Sequence, residues 1–561
     1  MKLQRLLIFS ITLFLVACSG SKLLPLTDDQ VKSNLKKHIS TLASDQFEGR
    51  ETGSEGENKS YEYIIKEFKA SKLKPKGESG FLQPFKFNDG ATFGTSTQLI
   101  VNNSIFKIDE DFYPLPYSSN NIITNFITKV GYGIVDLNSN RNDYTGKTNI
   151  AKRIFLIESG IPGGDSPHGK FGEWTDLRKK IDLAITKGAS AIIFINSDTT
   201  QDNPKADWKN HISPVTIPII FAKGKAASLL RDSVITNCTI GVEIIHIEKE
   251  GHNIIGFINN KASSTIIIGA HYDHLGYGDE GSLYRGERAI HNGADDNASG
   301  TAALIELAKF VKSNKLKNKN YLFIAFSGEE KGLLGSNYFV KHPTIDFKQV
   351  SCMINMDMLG RMKTEEKTLI INGTGTSPQW KSILDSSSVP GIHLKTTESG
   401  VGPSDHTSFY LQDIPVLHFF SGTHSDYHKP SDDEDKINYE GEMQIISMIK
   451  NIIRRVDSSS KLIFTKTKDD QNEDAPKFKV TLGVVPDYSF EGEGMRIDGV
   501  TDGRPASHSG LLPGDIVIQL GENKVVDMMS YMKALGKFSK GETTKVKIMR
   551  GKIEIEKDIT F

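Results

Sequence analysis

The chain is 561 residues long, which is too long for a single ordinary core, so several domains are expected. Hydrophobic residues make up 37% of it and charged residues 24%, which is typical of folded globular proteins and excludes a disordered or membrane-spanning chain. The formal net charge of −1 excludes a nucleic-acid partner held by bulk electrostatics.

The N-terminus has the layout of a secretion signal. Lys2 and Arg5 precede an apolar run, residues 6–17, that is too short to span a bilayer as a mature helix. The run ends in LVACSG, which resembles a bacterial lipoprotein cleavage box and implies lipidation of Cys18. Because Ser19 follows that cysteine, the resemblance implies a lipid anchor in the cell envelope, at the outer membrane or the periplasmic face. A simple cleaved signal with an incidental cysteine is the alternative.

The other two cysteines, Cys238 and Cys352, lie far apart in the sequence, each within an apolar, strand-like run. We interpret both as small hydrophobic residues of the core. A disulfide framework is therefore not expected, even in an oxidising compartment.

Two amphipathic helices are predicted near the N-terminus. Val31, Leu35 and Ile39 share one helical face, and Tyr61 begins a second apolar face. The polar, glycine-rich segment FEGRETGSEGE lies between them. Its Arg50 fits either a contact with substrate or a structural salt bridge.

Two further segments resemble known small domains. Short strand-like runs and turns at 118–249, such as KRIFLI and KGASAIIFIN, resemble a protease-associated (PA) insert in pattern and order. Near the C-terminus, GMRIDGVTDGRPASHSGLLPGDIVIQLGENKV resembles a PDZ domain, which implies a groove that takes an extended peptide as an added strand and captures its C-terminal carboxylate. The residues expected to line that groove are Gly494, Met495, Arg496 and Ile497. A spacer or dimerisation element without a ligand is the alternative.

Acidic residues and histidines follow several strand-like runs of the segment from 252 to 456. The residues at the ends of these runs are His271, Glu329 with Glu330, Asp357 and His428. Strands alternate with helical stretches here, which indicates an α/β domain with a mostly parallel sheet. Ligands bind beyond the carboxyl ends of such strands, so these side chains are predicted to meet at one edge.

The segment HNGADDNASG sets two aspartates, Asp295 and Asp296, just before a predicted helix with Leu304, Leu307 and Val311 on one face. The helix dipole stabilises an anion by only about 0.3–1 kcal/mol, too little to hold several carboxylates together. Metal cations between the carboxylates would supply the positive charge that holds them together. Histidine and carboxylate without cysteine suit zinc, with cobalt or manganese as alternatives.

Six motifs occur in the order of a known enzyme family: GAHYDHLG, NGADDNASG, SGEEKGLLGS, NMDMLGR, SDHTSF and DYHKPSDDEDKI. Together they resemble the dizinc aminopeptidase family, which also contains glutamate carboxypeptidase and the transferrin receptor. The resemblance implies an α/β fold with a mostly parallel-centred mixed sheet flanked by helices, a β-rich PA-like insert and a small PDZ-like β domain. The predicted boundaries are a signal at 1–17, a catalytic domain at 27–117 and 250–458, the PA-like insert at 118–249, a linker at 459–475 and the PDZ-like domain at 476–561.

The resemblance implies two zinc ions and five ligands. His271 and Asp357 would hold one ion, and Glu330 and His428 would hold the other. Asp295 would bridge the two. Two metals about 3.5–4 Å apart can activate a water and clamp an amide carbonyl.

The resemblance also implies the residues that act around the metals. Glu329 would be the general base that takes a proton from water and passes it to the leaving amine. Asp273 would orient the first metal-binding histidine. His406 stands where other members carry a tyrosine and would donate a hydrogen bond to the oxyanion. A cis peptide bond would join Asp295 to Asp296.

These observations predict a zinc-dependent exopeptidase, an aminopeptidase that acts on peptide substrates. A carboxypeptidase for acidic C-terminal residues would need basic side chains converging on the pocket, and the sequence does not locate them. A peptide-binding receptor or scaffold without catalysis is the alternative from another class, although all five ligands and the base are present. A glutaminyl cyclase would need only one metal, whereas His271 and Asp357 together favour two.

Overall fold

The computed structural model describes most of the chain. The described residues are 25–137, 139–163, 170–198, 203–204, 206, 208, 214–232, 234, 237–467, 480–486, 493–500, 504–526, 528–538 and 541–561. The predicted signal with Cys18 lies outside them, as does part of the predicted linker. Among the described residues, no helix combines the length and the apolarity that crossing a bilayer requires.

Helices and strands alternate along the chain. The helices are α1 (Asp28–Leu42), α2 (Glu55–Ala70), α3 (Leu177–Thr186), α4 (Gly224–Asp232), α5 (Gly300–Ser313), α6 (Leu334–Lys341), α7 (Trp380–Asp385), α8 (His406–Tyr410), α9 (Tyr439–Ser458), α10 (Pro505–His508) and α11 (Met528–Leu535). Short 3-10 turns lie at Asp45–Arg50, Gly172–Thr175, Phe347–Gln349, Thr374–Thr376 and Glu434–Lys436, and a π turn lies at Ala294–Ser299.

The strands are short except for two. They are β1 (Lys74–Pro75), β2 (Leu82–Phe93), β3 (Gln98–Val101), β4 (Ser104–Phe106), β5 (Phe112–Pro114), β6 (Asn121–Asn125), β7 (Ile127–Lys129), β8 (Val135–Asp136), β9 (Arg141–Asn142), β10 (Ile154–Glu158), β11 (Ala191–Ile195), β12 (Ile219–Ala222), β13 (Cys238–Val242), β14 (Ile244–Ile258), β15 (Thr265–His271), β16 (Asn320–Phe326), β17 (Val350–Met356), β18 (Thr368–Asn372), β19 (His393–Thr397), β20 (Val416–Phe420), β21 (Val484–Pro486), β22 (Met495–Val500), β23 (Ile516–Leu520), β24 (Asn523–Lys524), β25 (Thr543–Arg550) and β26 (Ile553–Thr560). The long strands, β2 and β14, pair with each other in antiparallel register.

A nine-stranded mixed sheet forms the centre of the largest unit, in the order β1-β14-β16-β15-β17-β20-β18-β19, with β2 also paired to β14. Strands β16, β15, β17 and β20 run parallel, which confirms the predicted parallel centre. Every residue of β15, β16 and β17 is buried, because helices cover both faces of the sheet. Helices α1, α2, α5, α7 and α9 contribute to the core on one face, and α6 and α8 to the core on the other.

The predicted helix faces are confirmed. Val31, Leu35 and Ile39 of α1 are buried, as are the apolar residues of α5. Helix α1 starts at Thr27, whose hydroxyl accepts from the Gln30 backbone N–H while the Gln30 side chain accepts from the Thr27 N–H. This reciprocal pair satisfies two donors that a helix start leaves open.

The insert begins earlier than the predicted boundary at 118. A five-stranded sheet has the order β5-β12-β11-β10-β7, and a four-stranded sheet has the order β4-β3-β13-β6. Strands β3, β4 and β5 therefore belong to the insert, although they lie within the predicted first part of the catalytic domain. They are three or four residues long, and the pattern of so few residues does not separate them from turns. Cys238 and Cys352 are free and buried, as predicted.

The C-terminal unit is a small sheet in the order β21-β22-β23-β25-β26, with β24 on β23. The predicted groove along Gly494, Met495, Arg496 and Ile497 is wrong for this sheet. Strand β22 is internal, because Met495 and Arg496 pair with β23 and Ile497 pairs with Pro486 of β21. Met495 is also buried in the core of this unit. A peptide can be added only at an edge, and among the strands that the structure describes the edge on this side is β21.

The glycine-rich loop before α2 joins three parts of the largest unit. Arg50 is fully buried, and its guanidinium donates to the carbonyls of Leu42 (2.7 Å), Tyr272 (2.8 Å), Asn292 (2.6 Å) and Gly293 (2.9 Å). Burial lowers the pKa of Arg50 to about 10, against the attraction of nearby carboxylates. Among the residues that the structure describes, Arg50 has no direct salt bridge, and its full burial leaves no surface for a contact with substrate. Arg50 fixes the backbone instead.

Replacing Arg50 by methionine should destabilise the largest unit strongly. Four buried carbonyls would lose their donor, which we expect to cost about 3–5 kcal/mol of unfolding free energy. Scanning calorimetry should show a decrease of about 10 °C in the melting temperature of this unit. Arg178→Met, at a partly exposed position on α3, is the matched control and should change little. A melting temperature equal to that of the control would contradict the role assigned to Arg50.

Candidate metal and catalytic centre

Side chains from five segments meet at the carboxyl edge of the central sheet, beside one cavity. His271 is the last residue of β15, Glu330 follows β16, and Asp357 follows β17. His428 lies in the loop after β20, and Asp296 lies in the π turn before α5. The cavity has a volume of about 960 Å³, and its walls include Asp296, Glu329, Glu330, Asp357 and His428.

Asp296 lies between two pairs of donor atoms. On one side, its Oδ1 is 3.5 Å from Nε2 of His271, and that nitrogen is 3.2 Å from Oδ1 of Asp357. On the other side, its Oδ2 is 3.2 Å from Nε2 of His428, and that nitrogen is 3.2 Å from Oε2 of Glu330. Each carboxylate oxygen of Asp296 therefore completes a set of three donors.

These separations fit metal ions. Ligand atoms at zinc distances in a tetrahedral site are about 3.3 Å apart. The distances from the nitrogen of His271 and from that of His428 to their carboxylate oxygens, 3.2–3.5 Å, are close to this value. His274 is also close to the second set, but its Nδ1 is 2.7 Å from Oε1 of Glu330 and 3.8 Å from Asp296. The shorter distance is that of a hydrogen bond and is too short for two ligands of one ion. His274 therefore orients Glu330 through a hydrogen bond. His428 is the histidine of this set whose distances suit a metal ligand.

The placement of Asp295 between the two metal positions is wrong. Its Oδ1 accepts from the Gly360 backbone N–H (2.6 Å) and the Ser299 hydroxyl (3.0 Å), and its Oδ2 lies 3.2 Å from Nε2 of His424. Asp295 is fully buried and faces the loop after β17. Successive side chains of the turn point in different directions, so only Asp296 reaches the centre.

The cis peptide bond also lies one residue later than expected, between Asp296 and Asn297. Asp432 holds the preceding backbone, since its Oδ2 accepts from the N–H groups of Asp295 (3.0 Å) and Asp296 (3.1 Å). Asn297 fixes the other side, because its Oδ1 accepts from the N–H of Met358 (3.1 Å). The position of the Asp296 carboxylate is thus set by the backbone of a turn that is anchored at both ends.

Asp273 positions the two glutamates as well as His271. Its carboxylate accepts from the N–H groups of Glu329 (3.2 Å) and Glu330 (3.4 Å) and from the hydroxyl of Thr52 (3.0 Å). Nδ1 of His271 lies 3.2 Å from the Asp273 carbonyl oxygen and 3.8 Å from its carboxylate. Burial raises the pKa of Asp273 to about 6, against the attraction of His271.

The pKa values of the two glutamates are shifted in opposite directions. Burial, reinforced by the nearby Asp357 carboxylate, raises the pKa of Glu329 well above its usual range despite the attraction of His271. Burial acts in the same direction on Glu330, but His428 and His274 outweigh it and hold the pKa of Glu330 well below its usual range. Glu330 is therefore suited to remain a charged ligand, and Glu329 to accept a proton.

His406 does not reach the cavity. Its ring is fully buried and stacks on His418, with ring centroids 4.5 Å apart, and it is His418 that lines the cavity. Burial, with the neighbouring His418, lowers the pKa of His406 well below its usual value. The predicted role of His406 as a donor to an oxyanion is therefore wrong, since a substrate atom in the cavity meets His418 first.

Several residues of this centre were not singled out in the sequence. Tyr427 lines the cavity, and its ring stacks on His428 with centroids 3.9 Å apart. Burial and the surrounding carboxylates raise its pKa well above the usual range, so its hydroxyl is a donor at neutral pH. Asp432 anchors the bridging turn, and both residues lie within DYHKPSDDEDKI. Their proximity to His428 was the available signal, but adjacency alone does not show which way a side chain points.

Parts of the chain match known family models. Residues 253–453 match the model of peptidase family M28, and residues 465–560 match the PDZ domain model. The second match overlaps the PDZ-like domain predicted from the sequence. The first covers the second part of the predicted catalytic domain, which contains every residue of the two donor sets.

Individual relatives are aminopeptidases by name. Aminopeptidase YwaD of Bacillus subtilis is 30% identical over 274 residues, 47% of this chain and 56% of that protein. A probable leucine aminopeptidase of Arthroderma otae is 32% identical over 172 residues, 29% of this chain and 45% of that protein. The chain thus spans about half the length of these relatives.

Two solved structures were matched to this chain. An aminopeptidase from Aneurinibacillus sp. strain AM-1 is 23% identical, with a TM-score of 0.44, and the match covers 80% of this chain and 99% of that chain. BSAP, a zinc aminopeptidase from Bacillus subtilis, is 22% identical, with a TM-score of 0.43, and the match covers 80% and 97%.

The two adjacent aspartates should differ in their effect on metal binding. Asp296→Asn removes the carboxylate shared by both donor sets and should weaken zinc binding more than about 100-fold, whereas Asp295→Asn changes only a supporting residue and should weaken it by at most about 10- to 100-fold. Zinc content after dialysis against a competing chelator measures the difference, and circular dichroism confirms that each variant is folded. Equal zinc loss in both folded variants, or greater loss in Asp295→Asn, would contradict the geometry.

Proposed function

We propose that this chain, which carries a peptidase family M28 domain and a PDZ domain, is an aminopeptidase that holds two zinc ions. The observation that carries the proposal is the carboxylate of Asp296, with one oxygen in each of two sets of three donors. The relatives are named as aminopeptidases, which supports an aminopeptidase over other kinds of peptidase.

The ligand assignment follows the distances. His271, Asp357 and Asp296 would hold one ion, and Glu330, His428 and Asp296 the other. When bound, zinc supplies a Lewis acid that polarises an amide carbonyl and makes water acidic enough to attack at neutral pH. Imidazole and carboxylate donors without thiolates are the set that zinc uses at catalytic sites.

Glu329 moves the proton in the proposed reaction. Its carboxylate takes a proton from the attacking water as the water oxygen bonds to the amide carbon. The same carboxyl then gives the proton to the amide nitrogen as the carbon–nitrogen bond breaks, so the products are an amino acid and a peptide shortened by one residue. Its raised pKa suits it to hold the proton between the two steps.

The direct test is hydrolysis of aminoacyl-4-nitroanilides and of short peptides with free or acetylated N-termini. The protein should release the N-terminal residue only from free N-termini, lose this activity with 1,10-phenanthroline and regain it with zinc. Activity that is unaffected by complete removal of metal would contradict the metal mechanism.

A variant of Glu329 distinguishes its role as the base from the role of the metal ligands in the same assay. Glu329→Gln should lower kcat by about 10²- to 10⁴-fold while zinc content stays at the wild-type level. Glu62→Gln, at an exposed position on α2, is the matched control. Full activity in Glu329→Gln would remove Glu329 as the base.

A carboxypeptidase is the second candidate, because the structure locates the basic side chains that the sequence could not. Arg361, Lys363, Lys395, Lys436 and Arg496 all line the cavity. The peptide panel distinguishes the two activities by mass spectrometry of the released residue. Release of the C-terminal residue, abolished by C-terminal amidation and not by N-terminal acetylation, would replace the aminopeptidase proposal.

We also propose that Cys18 carries a lipid that anchors the mature protein in a bacterial envelope. The support is the sequence alone, a basic start and an apolar run ending in LVACSG. Cys18→Ala, expressed in a bacterial host with lipoprotein processing, should move from the membrane fraction to the soluble fraction. Unchanged partitioning of the variant would refute the anchor.

A further inference from the structure

The proposed ligand His428 is held differently from the other donors. Three of those donors lie at or just after the ends of buried strands of the central sheet, whereas His428 lies in the loop between β20 and α9. Its φ is +54°, in the left-handed region that residues other than glycine rarely adopt. Such a conformation persists only where surrounding contacts hold it. The position of the His428 ring therefore depends on the contacts that its loop makes.

A second loop, residues 276–291, supplies two of these contacts. Nδ1 of His428 lies 3.0 Å from the carbonyl oxygen of Gly281, and the N–H of Leu283 donates to the carbonyl oxygen of His428 (3.0 Å). A carbonyl oxygen can only accept, so Nδ1 carries the proton, and in the neutral ring the lone pair lies on Nε2. Nε2 is the nitrogen beside Asp296 and Glu330. The 276–291 loop thus sets both the backbone of His428 and the tautomer that a metal ion requires.

The 276–291 loop is closed at its base. The N–H of His291 donates to the carbonyl oxygen of Gly276 (2.8 Å), and the N–H of Gly276 donates to the carbonyl oxygen of Gly49 (3.0 Å). A Cβ on Gly49 would lie 2.5 Å from the carbonyl oxygens of both Gly276 and His291, so only glycine allows this approach. The base is therefore fixed to the segment that carries Arg50, while the other end of the loop contacts His428.

The ring of His291 connects the base of the loop to the part that holds His428. The ring is buried, its Nδ1 donates to the carbonyl oxygen of Ala289 (3.0 Å), and its Nε2 lies 2.7 Å from the hydroxyl of Ser282. Burial lowers the pKa of His291, so the ring is neutral at neutral pH and Nε2 accepts the hydroxyl proton of Ser282. The two residues that bond to His428 flank Ser282 on either side in the sequence. The bond between Ser282 and His291 therefore fixes both of them.

We propose that Ser282 and His291 are positioning residues for one of the two metal positions. They act through Gly281 and Leu283, which hold the ring and the backbone of His428. Groups that support a metal ligand from behind change metal affinity by about 10- to 100-fold. The inference rests on the proposed two-zinc function and names the residues that organise one of its metal positions.

The experiment measures zinc binding by the full-length protein in competition with a chromophoric chelator. Ser282→Ala removes the hydroxyl and should raise the dissociation constant of one of the two zinc ions about tenfold, because His428 is held less firmly. The constant of the other ion should stay at the wild-type value. His291→Leu removes the partner of Ser282 and should weaken the binding of the same ion at least as much.

Two variants serve as controls. Ser282→Thr keeps the hydroxyl and should restore both dissociation constants to within about twofold of wild type. Ser388→Ala removes an exposed serine hydroxyl that bonds only weakly to the carbonyl oxygen of Asp385 (3.3 Å), and it should bind zinc as wild type does. Melting curves of the zinc-free proteins show whether each variant keeps the stability of the fold.

Wild-type constants for both ions in Ser282→Ala, or equal losses in Ser282→Ala and Ser282→Thr, would overturn the positioning role and leave the two-zinc proposal intact. Weaker binding of both ions together with a lower melting temperature would assign Ser282 to the fold as a whole and would also overturn it. Wild-type protein that binds fewer than two zinc ions at saturation would contradict the proposed function itself, and the positioning role with it.

Discussion

The structure depends on keeping the carboxylates of Asp296, Glu329, Glu330 and Asp357 together in one cavity. Like charges repel more strongly where protein replaces water, so such a cluster requires compensating charge and a rigid frame. The imidazoles beside them provide part of this charge, and we propose that metal ions, for which the spacing of the donor atoms is suited, provide the rest. The frame is the parallel sheet, whose strand ends supply the donors, together with carboxylates that bind the backbone and not the centre. Asp432 is the clearest case, since it accepts from two successive N–H groups of the bridging turn.

The fold and the meeting of the donor groups could be predicted because each rests on a pattern that the sequence displays. Apolar runs ended by His271, Glu330 and Asp357 indicate buried parallel strands, and parallel strands place their ends at one edge. The choice between Asp295 and Asp296 could not be predicted in this way. The two residues have the same chemistry, and their roles differ only through the backbone angles of a turn set by hydrogen bonds from distant segments.

The errors at His406 and in the PDZ unit have a similar origin. A motif shows that His406 is near the centre, but the stacking of its ring behind His418 depends on how α8 packs against β20. The groove assigned to β22 failed because strand order is a property of the whole sheet, and β22 proved to be internal. Arg496 nevertheless lines the cavity of the donor sets, which brings the C-terminal unit next to the largest unit in a way that neither motif indicates.

The central claim is that the two oxygens of Asp296 serve two metal positions. Crystals of the protein grown with zinc, measured at the zinc absorption edge, test it most directly. The account predicts two anomalous peaks, one within about 2.2 Å of Oδ1 of Asp296 and Nε2 of His271, and the other within about 2.2 Å of Oδ2 of Asp296 and Nε2 of His428. A single peak at full zinc occupancy, or a peak coordinated by Asp295, would contradict it.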